Sequence, residues 1–169
     1  MSDAPLQGLL PDPILTLARR VIEENAAIGR TIALAESCTG GLVAAALTEI
    51  PGSSAVVDRG FVTYSNAAKQ EMLGVSADII DAFGAVSIAC VYAMAQGALR
   101  HSKADVAVAI SGIAGPGGGT ESKPVGTVIF ARAIRGQEKP EAELKHFAEQ
   151  DRAGVRREAT ICALELLLP

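Results

Sequence analysis

The sequence is poor in several residue types, and each shortage excludes a class of protein. The 169 residues include no Trp, two His and three Cys, and aromatic residues make up 4% of the chain. Two histidines are too few for a histidine-rich metal centre. Cys38, Cys90 and Cys162 are odd in number and far apart, so they predict neither a C-x-x-C metal site nor a disulfide framework. We therefore expect no metal and a reducing compartment such as the cytoplasm.

Basic clusters and long apolar runs are also missing. The 15 basic and 19 acidic residues give a formal net charge of −4 at pH 7, and no Lys/Arg run is dense enough to follow a phosphate backbone. Nucleic acid is therefore not an expected partner. The longest apolar runs, around residues 42–47 and 104–110, are too short to span a bilayer. The first residues include Asp3 instead of the cationic start of a signal peptide. Together these absences favour a cytoplasmic enzyme or binding domain without a membrane partner.

Apolar residues, by contrast, are abundant. They make up 49% of the chain against 20% charged residues, which is typical of a soluble globular protein. A chain of this length buries a core without disulfides or metals and favours one domain. We expect a loose N-terminal lead-in over residues 1–10 and a single domain over residues 11–169.

Strand-like and helix-like segments alternate along the chain. Continuous apolar runs at residues 31–35 and 106–110 are typical of strands covered on both faces. Apolar residues recur at helical spacing after Pro13 and after Ser87. This alternation predicts an α/β protein with a mainly parallel central sheet. Residues 56–64 are β-rich but interrupted, and they could form one bulged strand or two short strands.

Three polar segments follow predicted strands, at residues 36–41, 64–69 and 111–120. In open α/β sheets, ligands bind beyond the carboxyl ends of the parallel strands. We therefore expect these segments to meet at one edge of the sheet and to form the functional site there.

The first segment combines a serine with the glycine-rich start of a helix. The hydroxyl of Ser37 would lie near unpaired backbone N–H groups, which together with the helix dipole can hold an oxyanion or a phosphate. The alternative is that Ser37 or Thr39 only caps the helix. Cys38 has no histidine nearby in the sequence, so we interpret it as a packing residue.

The second segment places a lysine and a tyrosine close together. If a helix begins at Ser65, Lys69 lies in its first or second turn, near Tyr64 at the strand end. A lysine whose pKa is lowered by burial can act as general base for a serine, and a tyrosine hydroxyl can relay a proton. The alternative is an exposed lysine on a surface helix beside a half-buried tyrosine.

The third segment has five glycines before Thr120. Such a loop lets a ligand approach the backbone closely and can direct N–H groups at anionic oxygens, and Lys123 adds a positive charge. Its spacing matches neither a dinucleotide fingerprint nor a Walker A loop. We interpret it as a phosphate or ribose site, with a flexible surface hairpin as the alternative. Arg152, near the start of the last predicted helix, is either a ligand contact or a solvated charge.

Four motifs, in this order, resemble the CinA C-terminal domain family. They are AESCTGG at residues 35–41, GFVTYSN at residues 60–66 with Lys69, GAVS at residues 84–87, and SGIAGPGGGT at residues 111–120 with KPVG at residues 123–126. The resemblance extends from about Leu15 to Leu168 and is to the stand-alone form of the family. Members commonly have Gly before Asp151-Arg152, where this chain has Gln150.

The resemblance implies a three-layer α/β/α sandwich with a mainly parallel or mixed central sheet. It also implies nicotinamide-nucleotide amidohydrolase activity, which converts nicotinamide mononucleotide (NMN) to nicotinate mononucleotide and ammonia in pyridine nucleotide salvage, without a cofactor. By position, Ser37 would be the nucleophile, with Lys69 and Tyr64 as its catalytic partners. Two other functions stay open: a non-catalytic nucleotide- or partner-binding module linked to competence or DNA damage, and an amidase for substrates without phosphate.

The residues of the polar segments themselves give the expected substrate-binding residues. The N–H groups of the first turn would form the oxyanion hole, and the glycine-rich loop would bind the nucleotide phosphate. The predicted residues are Thr39, Gly40, Gly41, Gly115, Gly117, Gly118, Gly119, Thr120 and Arg152. Alanine-rich faces also leave room for a homodimer.

Overall fold

The computed structural model describes residues 8–169, so most of the expected lead-in lies outside the described residues. Helices and strands alternate along the described chain. The helices are α1 (Asp12–Ala27), α2 (Leu42–Thr48), α3 (Asn66–Leu73), α4 (Ala77–Phe83), α5 (Ile88–Arg100) and α6 (Arg152–Leu166). The strands are β1 (Ile32–Glu36), β2 (Val57–Val62), β3 (Val106–Gly112), β4 (Thr127–Ile134) and β5 (Glu141–His146).

The five strands form one mixed sheet in the order β2-β1-β3-β4-β5. Strand β1 is parallel to both β2 and β3. Strand β4 is antiparallel to β3 and to β5. The mixed form of the predicted sheet is therefore confirmed, and its parallel part is confined to the three strands that precede the three polar segments.

The β-rich stretch around Asp58 forms one bulged strand. Ile32 pairs with Val57, but the next residue, Ala33, pairs with Arg59. The extra residue Asp58 is therefore a bulge, which resolves the alternative that the sequence left open.

Each face of the sheet packs against its own layer of helices. Strand residues such as Ile32, Val108 and Phe130 pack with α1, α2 and α6 in one core. The opposite face presents small side chains to α3, α4 and α5, namely Ala33, Ala35, Ala107, Ala109, Ala131 and Ala133. Successive strand residues point to opposite faces, so this alternation gives the α/β/α sandwich its two unlike cores.

The small side chains fit a closely packed helical layer. At Gly97 of α5, an added Cβ would overlap the backbone carbonyl of Leu73, the last residue of α3. Glycine is required here for close approach between the two helices. This contact ties α5 to α3, the helix that carries Lys69.

Serine caps begin the helices that flank the site. The Oγ of Ser65 accepts a hydrogen bond of 3.0 Å from the N–H of Ala68, and the Oγ of Ser87 accepts one of 3.1 Å from the N–H of Cys90. These bonds satisfy N–H groups that have no partner inside the helix, as the sequence predicts. No helix among residues 8–169 is long and apolar enough to cross a membrane.

Candidate active site

A cleft of about 290 Å³ opens at the carboxyl ends of β1, β2 and β3. All three strands run in the same direction, so the segments that follow them meet there, as expected from the sequence. The linker between α4 and α5 supplies a further wall. The lining residues are Ser37, Cys38, Tyr64, Asn66, Lys69, Ala85, Val86, Ser111, Gly112, Ile113, Ala114, Gly115, Gly117, Gly118 and Arg152.

A serine and a buried lysine face each other inside this cleft. Ser37 follows β1 directly, and its N–H donates to the carbonyl of Ile110 at 3.0 Å. Lys69, on the first turns of α3, is 1% exposed, and its Nζ lies 3.0 Å from the Oγ of Ser37. The alternative of an exposed surface lysine is therefore wrong.

The surroundings of Lys69 favour its neutral form. Burial lowers the pKa of Lys69, and the thiols of Cys90 and Cys38 oppose this shift to a lesser extent. No carboxylate forms a salt bridge with Lys69 in the described part of the chain. Desolvation disfavours the charged ammonium, so a larger fraction of this side chain is a free amine at a given pH.

Two backbone carbonyls set the direction in which the amine can react. Nζ donates to the carbonyl oxygen of Thr63 at 2.7 Å and lies 3.5 Å from that of Tyr64. A neutral amine has two N–H donors and one lone pair. With both donors directed at carbonyl oxygens, the lone pair is left to accept the hydroxyl proton of Ser37. This arrangement can generate a serine nucleophile.

The last residue of β1 carries a functional group that the sequence analysis did not assign. The buried carboxylate of Glu36 accepts hydrogen bonds from the hydroxyl of Thr39 at 2.6 Å and from the N–H groups of Gly41 at 3.0 Å and Ala44 at 2.9 Å. It also accepts from the N–H of Val43 at 3.2 Å. Glu36 therefore occupies the N-terminus of α2, in place of a substrate anion and in place of a serine or threonine cap.

These contacts bear on the expectation that Thr39, Gly40 and Gly41 bind substrate, which stays a prediction. Thr39 is fully buried. The N–H of Gly40 donates to the carbonyl of Ser37 at 2.9 Å, and that of Gly41 donates to Glu36. The N–H groups of Gly40 and Gly41 are thus engaged inside the turn, and none of the three residues lines the cleft. An acidic residue directly before a glycine turn was the available signal, because it can reach the first N–H groups of the next helix.

The glycine-rich loop lines the cleft with only part of its length. Gly115, Gly117 and Gly118 contribute to the wall, whereas Gly119 and Thr120 do not. Gly119 packs so closely on the backbone of residue 125 that an added Cβ would lie 2.7 Å from its nitrogen. Thr120 is exposed, and its N–H donates to the carbonyl of residue 123 at 2.9 Å. That these two residues bind substrate stays a prediction.

The positive side chains near this loop have distinct partners. Nζ of Lys123 donates to the carbonyl of Phe83 at 2.7 Å and so fastens the loop to the end of α4. Arg152, the first residue of α6, lines the cleft and donates to the carbonyl of Gly115 at 2.7 Å. It also donates to the hydroxyl of Tyr64 at 3.1 Å. Tyr64 is 61% exposed, so its ring lies at the mouth of the cleft.

Cys38 lines the cleft next to Ser37 but is not an activated nucleophile. The residue is 5% exposed, and burial raises the pKa of its thiol to about 12. The reactive form of cysteine is the thiolate, so the thiol of Cys38 is inert near neutral pH. This agrees with its interpretation as a packing residue.

The fold and the site define the class of protein. It is a three-layer α/β/α protein that has a buried serine–lysine pair at the carboxyl edge of its parallel strands. Residues 14–169 match the family described as CinA C-terminal domain. The chain belongs to this family.

The chain is similar in sequence to relatives of two different lengths. Nicotinamide-nucleotide amidohydrolase PncC of Escherichia coli K12 is 51% identical over 155 residues, which cover 91% of this chain and 92% of that protein. The CinA-like protein of Syntrophotalea carbinolica is 49% identical over 152 residues, covering 90% of this chain but 36% of its own length. The chain thus spans about a third of the longer relative and nearly all of the shorter one.

Solved structures share the fold. Competence/damage inducible protein CihA of Agrobacterium tumefaciens superposes with a TM-score of 0.92 and 49% identity, covering 95% of this chain and 97% of that chain. A CinA superfamily protein of Klebsiella pneumoniae gives a TM-score of 0.86 and 42% identity, covering 91% of this chain and 94% of that chain. These matches confirm the predicted fold class and family.

Proposed function

We propose that this protein hydrolyses the carboxamide of NMN to nicotinate mononucleotide and ammonia. The observation that carries the proposal is the 3.0 Å separation between the Oγ of Ser37 and the Nζ of Lys69 on the wall of a cleft. The stand-alone relative from E. coli carries the name of this activity. A serine activated by a neutral amine is suited to attack an amide carbon.

The first half-reaction transfers the acyl group to the enzyme. The Oγ of Ser37 forms a bond to the carboxamide carbon, and its proton passes to the lone pair of Lys69. When the tetrahedral intermediate collapses, the C–N bond breaks, and the departing nitrogen takes the proton and leaves as ammonia. The hydroxyl of Tyr64, held by Arg152, assists this proton delivery. The product on the enzyme is a nicotinoyl ester of Ser37.

The second half-reaction releases the acyl group with water. Lys69 takes a proton from the water while the water oxygen attacks the ester carbon. Collapse of this second intermediate breaks the bond to Ser37, whose Oγ regains a proton from Lys69. Nicotinate mononucleotide then leaves, and the amine and the hydroxyl are restored to their starting states.

Backbone donors of the cleft serve the oxyanion and the phosphate in this proposal. Cys38 lines the cleft beside Ser37, and no backbone carbonyl among residues 8–169 accepts its N–H, which leaves it available to a developing oxyanion. The loop with Gly115, Gly117 and Gly118 can hold the phosphate through its backbone, with Arg152 adjacent.

The cellular role follows from this chemistry. The reaction returns a pyridine nucleotide to an acid form, so we propose a role in pyridine nucleotide salvage, and a cytoplasmic location stays a prediction. A homodimer and the lack of a nucleic-acid partner stay predictions. Size-exclusion chromatography with light scattering tests the first of these, and a filter-binding assay with duplex DNA tests the second.

Ammonia release from NMN tests the function directly. Ser37→Ala should abolish it while the thermal transition of the protein is retained. Ser54→Ala, at an exposed serine remote from the cleft, is the matched control and should keep full turnover. Near-normal turnover by Ser37→Ala would show that Ser37 is not the nucleophile.

The same assay separates the competing functions. Binding of NMN without turnover by the wild-type protein would favour the non-catalytic module. Hydrolysis of nicotinamide or nicotinamide riboside as fast as of NMN would favour an amidase that does not recognise phosphate. The proposal requires that removal of the phosphate strongly lowers kcat/KM.

A further inference from the structure

Arg156 of α6 reaches the turn that carries Ser37. Its Nε donates to the carbonyl of Cys38 at 3.1 Å, and its Nη2 donates to the carbonyl of Thr39 at 3.2 Å. In sequence, 118 positions separate Arg156 from Cys38. The side chain is half-buried and does not line the cleft. Its guanidinium therefore acts on the backbone of the turn.

Peptide geometry shows what these two bonds determine. A peptide unit is planar and trans, so its C=O and its N–H point to opposite sides. Holding the carbonyl of Cys38 therefore fixes the plane of the unit that follows this residue. The unit before it is fixed as well, because the carbonyl of Ser37 accepts the N–H of Gly40 at 2.9 Å. The N–H of Cys38 belongs to this earlier unit. The Gly40 N–H that holds it lies in the same peptide unit as the Thr39 carbonyl, which Arg156 fixes.

Two oppositely charged side chains hold the turn, one through its backbone N–H groups and the other through its backbone carbonyls. The carboxylate of Glu36 accepts from N–H groups at the start of α2, and the guanidinium of Arg156 donates to the carbonyls of Cys38 and Thr39. Charge-assisted hydrogen bonds of this kind are stronger than neutral ones, and a guanidinium fork imposes direction on both acceptors. Ser37 directly precedes these anchored residues.

We propose that Arg156 is a positioning residue for Ser37. Its two-donor fork keeps the Oγ of Ser37 at the lone pair of Lys69 and keeps the N–H of Cys38 at the place where the oxyanion forms. The inference rests on the proposed role of Ser37 as nucleophile. A shift of about 1 Å in such a group costs about 10²-fold in rate, so loss of the fork is a kinetic defect.

Three variants test this inference. Arg156→Met removes the fork, Arg156→Lys keeps the charge but supplies a point donor, and Arg157→Met changes the exposed neighbour, which has no hydrogen bond in the described residues. With NMN as substrate, Arg156→Met should lower kcat about 10²-fold with KM within about twofold. Arg156→Lys should recover only a small part of the loss, and Arg157→Met should match the wild type.

A second measurement does not depend on NMN turnover. An alkyl fluorophosphonate modifies an activated serine by forming a P–O bond to Oγ with loss of fluoride, and intact mass reports the extent. The rate of labelling of Ser37 should fall in Arg156→Met and in Arg156→Lys, with the wild-type rate in Arg157→Met. Lys69 remains in place, so the ascending limb of the pH–labelling profile should keep its position.

The two measurements separate failure of this inference from failure of the proposed function. A wild-type protein that releases no ammonia but shows slower Ser37 labelling in both Arg156 variants would overturn the function and retain the positioning role. Unchanged labelling in Arg156→Met, or full recovery in Arg156→Lys, would overturn the positioning role. A rise in KM alone would mean that Arg156 contacts substrate, and an unreactive wild-type Ser37 would overturn both. If Arg156→Met does not fold, the kcat and the Ser37 labelling rate of Arg156→Lys decide between the same outcomes.

Discussion

The hydroxyl of Tyr64 accepts a hydrogen bond of 3.1 Å from Arg152, which lies 88 positions further along the chain. The same guanidinium donates to the carbonyl of Gly115 at 2.7 Å. These two bonds join the end of β2, the loop after β3 and the start of α6 across the mouth of the cleft. Tyr64 is therefore held in place although most of its side chain is exposed.

Tyr64→Phe removes this hydroxyl and keeps the ring. If Tyr64 helps protonate the leaving nitrogen, kcat for NMN should fall about 10²-fold with little change in KM. Tyr92→Phe, on α5 and outside the cleft, is the matched control and should have wild-type kinetics. Full turnover by Tyr64→Phe would show that Tyr64 only lines the cleft and does not deliver a proton to the leaving group.

Lys69→Met tests the general base. Burial lowers the pKa of Lys69, so in the wild type kcat/KM should rise with pH through this lowered value and level off below the ordinary value of 10.5. The variant should lose about 10³-fold in kcat and should also lose this ascending limb. Lys103→Met, at an exposed lysine, is the control. A limb that persists in Lys69→Met would assign the titration to another group.

Cys38→Ala distinguishes the two nucleophiles that are adjacent in sequence. Burial raises the pKa of the Cys38 thiol to about 12, so the protein should keep turnover within a few-fold and Cys38 should resist iodoacetamide at neutral pH. Peptide mass mapping after alkylation reports the second outcome. Loss of activity in Cys38→Ala at unchanged stability would move the chemistry from the hydroxyl to the thiol.

Glu36→Gln tests the carboxylate that accepts the first N–H groups of α2. An amide keeps the size of the side chain but removes the charge and one acceptor from a buried group that holds four hydrogen bonds. The free energy of unfolding in urea should fall by about 1–3 kcal/mol. Glu71→Gln, at an exposed position of α3, should change it by less than about 0.5 kcal/mol. Equal stability of the two variants would show that water replaces the lost contacts.

Patterns within short stretches of sequence predicted the frame of the molecule. The apolar run that became β1 and the serine before α3 fixed their elements to within a residue or two, because burial and capping are local properties. The meeting of Ser37 and Lys69 followed from the parallel direction of their strands. The polar segments at the strand ends were therefore sufficient to locate the cleft that forms the candidate site.

Contacts made through backbone groups were not predictable in this way. The turn after Ser37 was expected to offer its N–H groups to substrate, but Glu36 engages those of Gly41 and Ala44. Arg156 reaches the same turn from a distant part of the chain. Hydrogen bonds to backbone leave no residue pattern at the accepting position, so the chemistry of the turn required the folded structure.

The buried amine of Lys69 also couples folding to the release of a proton, which the buffer takes up. Its pKa is lower in the folded protein than in the unfolded chain, so between these two values the unfolded chain holds a proton that the native protein lacks. Folding in that window expels this proton, and the contribution of Lys69 to native stability increases with pH up to the ordinary lysine value. The calorimetric heat of unfolding will therefore depend there on the ionisation enthalpy of the buffer, even with the cleft empty of nucleotide.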